Sequence, residues 1–196
     1  IAVNAYQTAF AAEREKLGDE ALGRLARDMV LIREFELMLN DIKKTGEYRG
    51  VAYSHLGPAH LSIGQEAAAV GQAFSLGIED KVFGSHRSHG EVLAKGLSAI
   101  AQAPAEVVHQ GMKTWSGGST WDVVTRRLDS ENSEQKAINY LLYGMTSETF
   151  GRKTGFNRGL GGSMHAFFPP LGIYPNNAIV GGSGPLATGA GLFHRV

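Results

Sequence analysis

Cysteine is absent from the 196-residue sequence. Its absence excludes disulfides, thiolate metal sites and cysteine nucleophiles, and it is compatible with a reducing cytosol. Long hydrophobic runs are absent too: no run approaches the ~20 apolar residues of a membrane-spanning helix. The N-terminus also lacks the basic-then-apolar order of a secretion signal. We therefore expect a cytoplasmic protein that has no membrane among its partners.

The sequence also has no net charge, because 19 basic residues balance 19 acidic ones. Without a bulk electrostatic field, nucleic acid is not an expected partner, and local groups must hold any charged ligand. The length suits one domain with a substantial core. Because the sequence starts at Ile1 and breaks off inside a predicted helix, we expect a piece of a longer polypeptide.

Hydrophobic periodicity gives the first structural prediction. From Asp19 to Lys44, apolar residues recur at spacings of three and four with charges between them, which is typical of an amphipathic helix. Asp19 is its predicted N-cap and Gly46 its predicted stop.

Further elements follow along the chain. The small-residue segment 64–74 predicts a buried helix, "KVFGS" a short strand, and "SHGEVLAKG" a helix ended by Gly96. The region from Ser98 to Tyr143 is weakly punctuated, with a loop at "SGGST" and helical stretches on either side of "LDSENSE". We recognise no catalytic motif in that region.

Glycine and proline are concentrated in residues 151–191, which contain four of the six prolines. This density indicates ordered turns close to a ligand or a tight interface, with a flexible linker as the alternative. Within this segment Gly182, Gly184 and Ala187 match a dinucleotide-binding pattern, G-x-G-x-x-A. The match is weak, since Pro185 follows the second glycine and the preceding "AIVGG" is a short strand at best.

The histidines are stronger candidates for a functional site than the glycine pattern. In "SHRSHG", His86 and Arg87 follow a predicted strand, where open α/β sheets bind ligands, and an arginine there suits phosphate or carboxylate. A surface salt bridge explains Arg87 equally well. His60 follows a Gly-Pro turn, and a lone histidine is more often structural than catalytic. The histidine spacings form no zinc pattern.

Four blocks of sequence resemble one family, in the family's order. They are "HLSIGQEAAAVG", "VFGSHRSHGEVLAKG", "FGRKTGFNRGLGGSMHAF" and "NNAIVGGSGPLATGAG". The chain resembles the alpha subunit of the thiamine-diphosphate-dependent first component of 2-oxo acid dehydrogenase complexes, which act on pyruvate, branched-chain 2-oxo acids or acetoin. This resemblance implies a three-layer α/β domain with a mainly parallel sheet, incomplete at the C-terminus. It also favours thiamine diphosphate over a nicotinamide cofactor.

The resemblance also implies site residues. His86 and Arg87 occupy the positions that reach the cofactor phosphates in the family. Ala178 and Val180 occupy positions whose main-chain groups touch the aminopyrimidine. His60 matches a histidine that faces the reacting centre in pyruvate-type members.

The implied reaction is oxidative decarboxylation of a 2-oxo acid, with acyl transfer to a lipoyl group of an acyltransferase component. A beta subunit, or a fused beta half, is expected to supply the glutamate that activates the aminopyrimidine. Two other functions stay open: a transketolase-like, non-oxidative thiamine enzyme and a non-catalytic interaction domain.

Two departures from the family pattern shape the expectations. Residues 1–196 would be the N-terminal part of the cofactor-binding domain, with an unusual insertion at 98–148. The G-D-G motif and later asparagine that hold Mg²⁺ are not in the sequence and are expected beyond Val196. The fragment alone is therefore expected to be inactive, and to associate with another copy or with the rest of its polypeptide.

Overall fold

The computed structural model describes residues 7–54 and 57–195, in which helices predominate over two small sheets. The helices are α1 (Phe10–Thr45), α2 (Glu66–Ala73), α3 (His89–Gln102), α4 (Ala105–Thr114), α5 (Ser119–Arg127), α6 (Ser133–Thr149) and α7 (Ser183–Arg195). The strands are β1 (Glu47–Tyr48), β2 (Val51–Ala52), β3 (Val82–Phe83) and β4 (Ile173–Tyr174). Short 3-10 turns lie at Trp115–Gly118 and Pro169–Leu171.

Helix α1 begins earlier than its periodicity predicts. It starts at Phe10 and is interrupted at Gly18, whose φ of 80° lies outside the helical range. Asp19 follows this break and accepts two hydrogen bonds from Arg14, at 2.5 and 2.8 Å. The predicted N-cap role of Asp19 is therefore wrong, because its carboxylate pairs with a side chain from the preceding turn.

The far end of α1 agrees with the prediction. Gly46 adopts a φ of 74° and donates its N–H to the Ile42 carbonyl, which closes the last turn. Glycine reaches this left-handed conformation at little cost. The predicted apolar stripe also turns inward, since Ile32, Phe35 and Leu39 are buried.

Helix α3 occupies the centre of the core and packs against α1, α2 and α6. It is buried around nearly its whole circumference, as expected for a helix with neighbours on several sides. The helix continues past Gly96, so the predicted end there is wrong. A Cβ at Gly96 would lie 2.6 Å from the Leu141 methyl carbons, which shows that the glycine permits a close approach of α6.

Residues 98–148 form part of the core. Helices α4, α5 and α6 bury Met112, Val124 and Met145 completely. The predicted helices flanking "LDSENSE" are confirmed, and the Asn132 side chain caps α6 by accepting the Gln135 N–H at 2.8 Å. This segment is thus integrated into the fold, and its status as an insertion stays a prediction.

Each of the two sheets consists of two strands of two residues. Strands β1 and β2 form an antiparallel hairpin, and β3 pairs in parallel with β4 through Val82 with Ile173 and Phe83 with Tyr174. The predicted strand in "KVFGS" is confirmed. The described residues therefore have a mixed helix and strand architecture with one parallel pair, and the three-layer arrangement stays a prediction.

The C-terminal part of the described chain is largely exposed. Residues 178–182, considered as a short strand from the sequence, form a bend and a turn. Helix α7 packs against β3, yet none of its described residues is buried. We call its large exposed side chains and those of the turn the C-terminal apolar surface: Ile179, Val180, Leu186, Leu192 and Phe193.

Within residues 7–54 and 57–195, no helix is both long enough and apolar enough to cross a membrane.

Candidate functional site

The candidate site lies at the carboxyl edge of the β3–β4 pair. Because these strands are parallel, the turn 84–88 after β3 and the segment 175–182 after β4 leave the same edge. Two hydrogen bonds fix the segment to the turn: the Asn176 amide donates to Ser88 Oγ, and the Ser183 hydroxyl donates to the Gly84 carbonyl.

Gly84 makes this close approach possible. A Cβ at Gly84 would lie 2.7 Å from the Ser88 Cβ and 3.3 Å from the Asn176 Cβ. Any larger residue would separate the turn from the segment.

Three of the predicted site residues meet beside this turn. The rings of His60 and His86 have centroids 6.1 Å apart and planes at 74°. Arg87 is exposed and donates from Nη1 to the Leu61 carbonyl at 2.9 Å. The turn after β3 and the loop before α2 therefore place two imidazoles and a guanidinium in one neighbourhood.

The surroundings of the His60 imidazole favour its neutral form. Burial lowers the pKa of its imidazole, and the positive charges of Arg87 and His86 lower it further. Its Nδ1 is buried and has no hydrogen-bond partner in the described structure. A buried polar atom without a partner is uncommon in native proteins, so this nitrogen is a natural contact for a bound molecule.

The predicted aminopyrimidine contacts, Ala178 and Val180, lie on the segment that is fixed to the turn. Both residues are exposed, and Val180 retains 76% of its accessible surface. Their backbone is therefore accessible to a ligand or to another chain. The structure brings them to the same sheet edge as His86 and Arg87.

The cleft at Arg87 is small, about 190 Å³. Its other lining residues include Ser62, Gln65 and Glu91. Ligand pockets usually enclose about 300–1,000 Å³, so this cleft can accommodate only part of a cofactor-sized molecule.

No metal centre is formed within the described ranges, where no group of three or more histidine or acidic side chains is arranged to hold an ion. The magnesium ligands expected beyond Val196 lie outside the described residues.

A chain of buried hydrogen bonds ends at the backbone of His60. Glu36 Oε1 lies 2.7 Å from His89 Nδ1, and His89 Nε2 lies 2.7 Å from Ser163 Oγ. Ser163 Oγ in turn accepts the backbone N–H of His60 at 3.3 Å. Glu36 and His89 are completely buried, and Ser163 is 4% exposed. The chain thus connects helix α1 to the loop that carries His60.

Sequence reasoning missed this chain, although one signal was available. Glu36 lies on the stripe formed by Ile32, Phe35 and Leu39, and a carboxylate at such a position requires a buried partner. His89 belongs to the same "SHRSHG" motif as His86 and Arg87, yet its ring is buried in the core. Ser163 carried no recognisable signal.

Glu148 is a second missed residue. Its buried carboxylate accepts backbone N–H groups from Asn157, Gly159, Gly161 and Gly162, at 2.7 to 3.3 Å. One side chain therefore organises the glycine-rich turns that precede Ser163. The prediction of ordered turns in this segment is confirmed, and a flexible linker is excluded.

Comparison with known proteins places these features in a family. The family model described as "Dehydrogenase E1 component" matches residues 29–130. The chain is 30% identical over 169 residues to a pyruvate dehydrogenase E1 component subunit alpha of Rhizobium meliloti, covering 86% of this chain and 34% of the relative. It is 28% identical over 172 residues to the mitochondrial counterpart of Saccharomyces cerevisiae, covering 88% of this chain and 29% of the relative.

A third relative is named for a different activity. The subunit alpha of an acetoin:2,6-dichlorophenolindophenol oxidoreductase of Cupriavidus necator is 28% identical over 176 residues, covering 90% of this chain and 38% of the relative. The chain thus spans roughly a third of the length of these relatives, between 29% and 38%. No solved structure matches it significantly. The family model covers more than half of the chain, so this protein belongs to the dehydrogenase E1 component family, among relatives named as alpha subunits.

Proposed function

We propose that this chain forms the diphosphate-binding side of a thiamine diphosphate site in the alpha subunit of a 2-oxo acid dehydrogenase E1 component. The observation that carries the proposal is the meeting of His60, His86 and Arg87 at the carboxyl edge of the parallel strand pair. Bound at this edge, the cofactor would supply the carbanion chemistry that releases CO₂ from a 2-oxo acid.

Arg87 and His86 fit the diphosphate. The exposed guanidinium uses Nη1 to hold the Leu61 carbonyl, and its planar fork can present further N–H groups to phosphate oxygens. The turn also leads directly into α3, whose N-terminus favours an anion. These groups attract negative charge without any net charge on the chain.

His60 fits a contact with the reacting substrate. A neutral imidazole can donate or accept a hydrogen bond at the substrate carboxylate or at the oxygen on which charge develops. The lowered pKa keeps the ring uncharged near neutral pH. Backbone groups at Ala178 and Val180 would hold the aminopyrimidine ring, since that segment is both exposed and fixed in place.

The rest of the site is proposed to come from other parts of the enzyme. A beta subunit or fused beta half would supply the activating glutamate and further contacts, because the small cleft at Arg87 can hold only part of a cofactor-sized molecule. Magnesium ligands would follow Val196. The acyl product would pass to a lipoyl group of an acyltransferase component, as the resemblance to 2-oxo acid dehydrogenases implies.

Calorimetric titration tests this function. The full-length alpha subunit, assembled with its beta subunit, is titrated with thiamine diphosphate in the presence of Mg²⁺, and we expect saturable binding. Absence of binding heat at millimolar cofactor would contradict the proposal and favour an interaction domain. A lipoyl-domain acylation assay then separates the oxidative enzyme from a transketolase-like one, which would bind cofactor but leave the lipoyl group unmodified.

A further inference from the structure

The loop that carries His60 is held at three consecutive residues. The His60 N–H donates to Ser163 Oγ, the Leu61 carbonyl accepts from Arg87, and the Ser62 N–H donates to Glu36 Oε2 at 2.8 Å. Two of these three bonds end on the buried chain of Glu36, His89 and Ser163. The position of the His60 backbone therefore depends on groups that are themselves out of contact with solvent.

The hydrogen-bond directions in this chain are set by its ends. The Glu36 carboxylate accepts from Ser62, and a carboxylate can only accept, so Nδ1 of His89 carries the proton. In the neutral ring of His89, Nε2 is then the acceptor for the Ser163 hydroxyl, and Ser163 Oγ remains free to accept the N–H of His60. Every described polar atom along this path has a partner.

Full satisfaction makes the chain rigid. A buried polar network holds a unique arrangement when every member is hydrogen-bonded, and loss of one member leaves the next one unpaired. Phe35 fixes the ring of His89 further, with an edge-to-face contact at 5.9 Å. The same ring is surrounded by the core, so it can move little.

We propose that Glu36, His89 and Ser163 are positioning residues that hold the His60 imidazole against the Arg87 turn. The proposal rests on the function proposed above, and it adds three residues that touch neither cofactor nor substrate. Ser163 is the member next to His60, and removal of its hydroxyl frees the His60 N–H while leaving the ring of His60 intact.

The first test is a double-mutant cycle in the full-length alpha subunit assembled with its beta subunit. We expect Ser163→Ala to lower kcat about two- to twelvefold, the range of one neutral hydrogen bond, and to leave the Kd for thiamine diphosphate within about twofold. In a His60→Ala background the same substitution should have almost no further effect, because the group it positions is gone. Independent, multiplicative losses would overturn the proposal.

Ser98→Ala is the matched control. Ser98 is a buried serine on α3 whose hydroxyl donates to the Phe74 and Leu76 carbonyls, so its loss costs stability without reaching the His60 loop. We expect kcat to be unchanged in this variant. Glu36→Gln, which keeps the size of the side chain, is a second route to the network and should repeat the coupling to His60→Ala.

A second readout needs neither cofactor nor turnover. With histidines labelled at ¹³Cε1, the NMR titration of His60 reports its pKa, and the His60→Gln spectrum assigns the signal. The groups acting on His60 are Arg87, His86, Lys43 and His89, together with burial of the ring. Release of the loop in Ser163→Ala should expose the ring and raise its pKa toward the ordinary value, while Ser98→Ala should not.

An unchanged His60 titration in Ser163→Ala would overturn the positioning role, whatever the enzyme catalyses. Absence of cofactor-dependent turnover in the wild-type assembly would instead contradict the proposed function. The two failures are therefore distinguishable.

Discussion

Arg33 and Arg87 illustrate how one residue type serves two purposes. Arg33 forms a two-pronged ion pair with Glu66, with both N–O distances at 2.7 Å, and this contact holds the pKa of Glu66 down to about 2. The ion pair links α1 to α2, and both oxygens of the Glu66 carboxylate already accept from Arg33. Arg87 instead donates to a backbone carbonyl, so its positive charge is not neutralised by that contact. Within the described residues Arg87 forms no ion pair, and its anion-binding role stays a prediction.

Replacement of Arg87 tests the anion-binding role. Charge-assisted hydrogen bonds contribute about 1.5–3 kcal/mol each, and ~1.4 kcal/mol corresponds to a tenfold change in affinity. We therefore expect Arg87→Ala to weaken thiamine diphosphate binding at least tenfold in the assembled full-length enzyme, as measured by calorimetry. Arg49→Ala, which removes an exposed arginine paired with Glu34, is the control and should bind normally. If the folded Arg87→Ala enzyme binds thiamine diphosphate as tightly as the wild type, Arg87 has a structural role only.

At the residue scale, the motif "SHRSHG" and the family resemblance indicated His60, His86 and Arg87, but not the buried groups that meet only through folding. His86 and Arg87 are neighbours, so their shared location was readable from "SHRSHG". His89 reaches Glu36 across 53 residues and Ser163 across 74. No pattern of spacing specifies such pairs, because their distance is set by how helices α1 and α3 pack.

At the scale of elements, close packing depends on glycines inside the helices. Gly144 in α6 faces the ring of Phe156, and a Cβ there would overlap the ring. Phe156 is itself completely buried and stacks on Phe168 with centroids 5.2 Å apart. The aromatic cluster therefore has little freedom to make room.

A pair of glycine substitutions separates packing from helix propensity. Gly144→Ala should destabilise the protein by about 2 kcal/mol, as overpacking of a filled core does. Gly71→Ala is the matched control, since a Cβ at Gly71 meets nothing within 4 Å. We expect it to be neutral or stabilising by about 0.5–1 kcal/mol, because alanine is the better helix former. Urea unfolding measures both, and equal effects of the two substitutions would refute the packing argument.

Lys95 joins three elements at the parallel strand pair. It lies on α3, is completely buried, and donates from Nζ to the carbonyls of Gly77 and Leu171, at 2.8 and 2.6 Å. These carbonyls belong to the loop before β3 and the turn before β4. Burial lowers the pKa of the ammonium group to about 8.

This shift predicts a pH-dependent stability with a defined sign. Between about pH 8 and the ordinary lysine pKa of about 10.4, the unfolded chain keeps the proton that the folded chain has lost. Since stability rises with pH wherever the unfolded state binds more protons, the Lys95 contribution should grow across this range by about 3 kcal/mol. Below pH 8 both states are protonated and the contribution is constant.

Urea unfolding of the wild type and of Lys95→Met at several pH values measures this contribution. The difference between the two unfolding free energies cancels the titration of the other lysines and the tyrosines. We expect the wild type to gain on the variant from pH 8 to pH 10. A difference that stays constant from pH 7.5 to 10 would show that the ammonium group is not desolvated in the folded state.

Periodicity predicted the existence of the elements better than their ends. The stripe of α1, the buried helix over 64–74 and the strand in "KVFGS" were all readable. The ends at Asp19 and Gly96 were not, because an ion pair to Arg14 and a contact with Leu141 replaced the local signals. Tertiary contacts decided these positions, and a single sequence does not contain them explicitly.

At the scale of the whole molecule, the exposed hydrophobic residues are unevenly distributed. Leu192 and Phe193 retain 60% and 80% of their accessible surface, and Ile179 and Val180 retain 70% and 76%. All four belong to the C-terminal apolar surface, with Ile179 and Val180 in the turn and Leu192 and Phe193 near the end of α7. Contiguous exposed apolar surface on a folded protein marks a site of association. Ile179 and Val180 lie on the segment that follows β4 at the edge of the proposed site, so this part of the surface adjoins the site.

We predict that the 196-residue chain associates through this surface at micromolar concentration, either with a second copy or with a beta subunit. Burial of a phenylalanine contributes about 1.5–3 kcal/mol, so Phe193→Asp should weaken the association about tenfold or more. Sedimentation equilibrium, with and without the beta subunit, measures both constants. Val107→Asp changes a residue on α4 that is 50% exposed and lies outside the surface, and it should leave association unchanged. If the wild-type chain sediments as a compact monomer that unfolds cooperatively and does not bind the beta subunit, the predicted association through this surface is wrong.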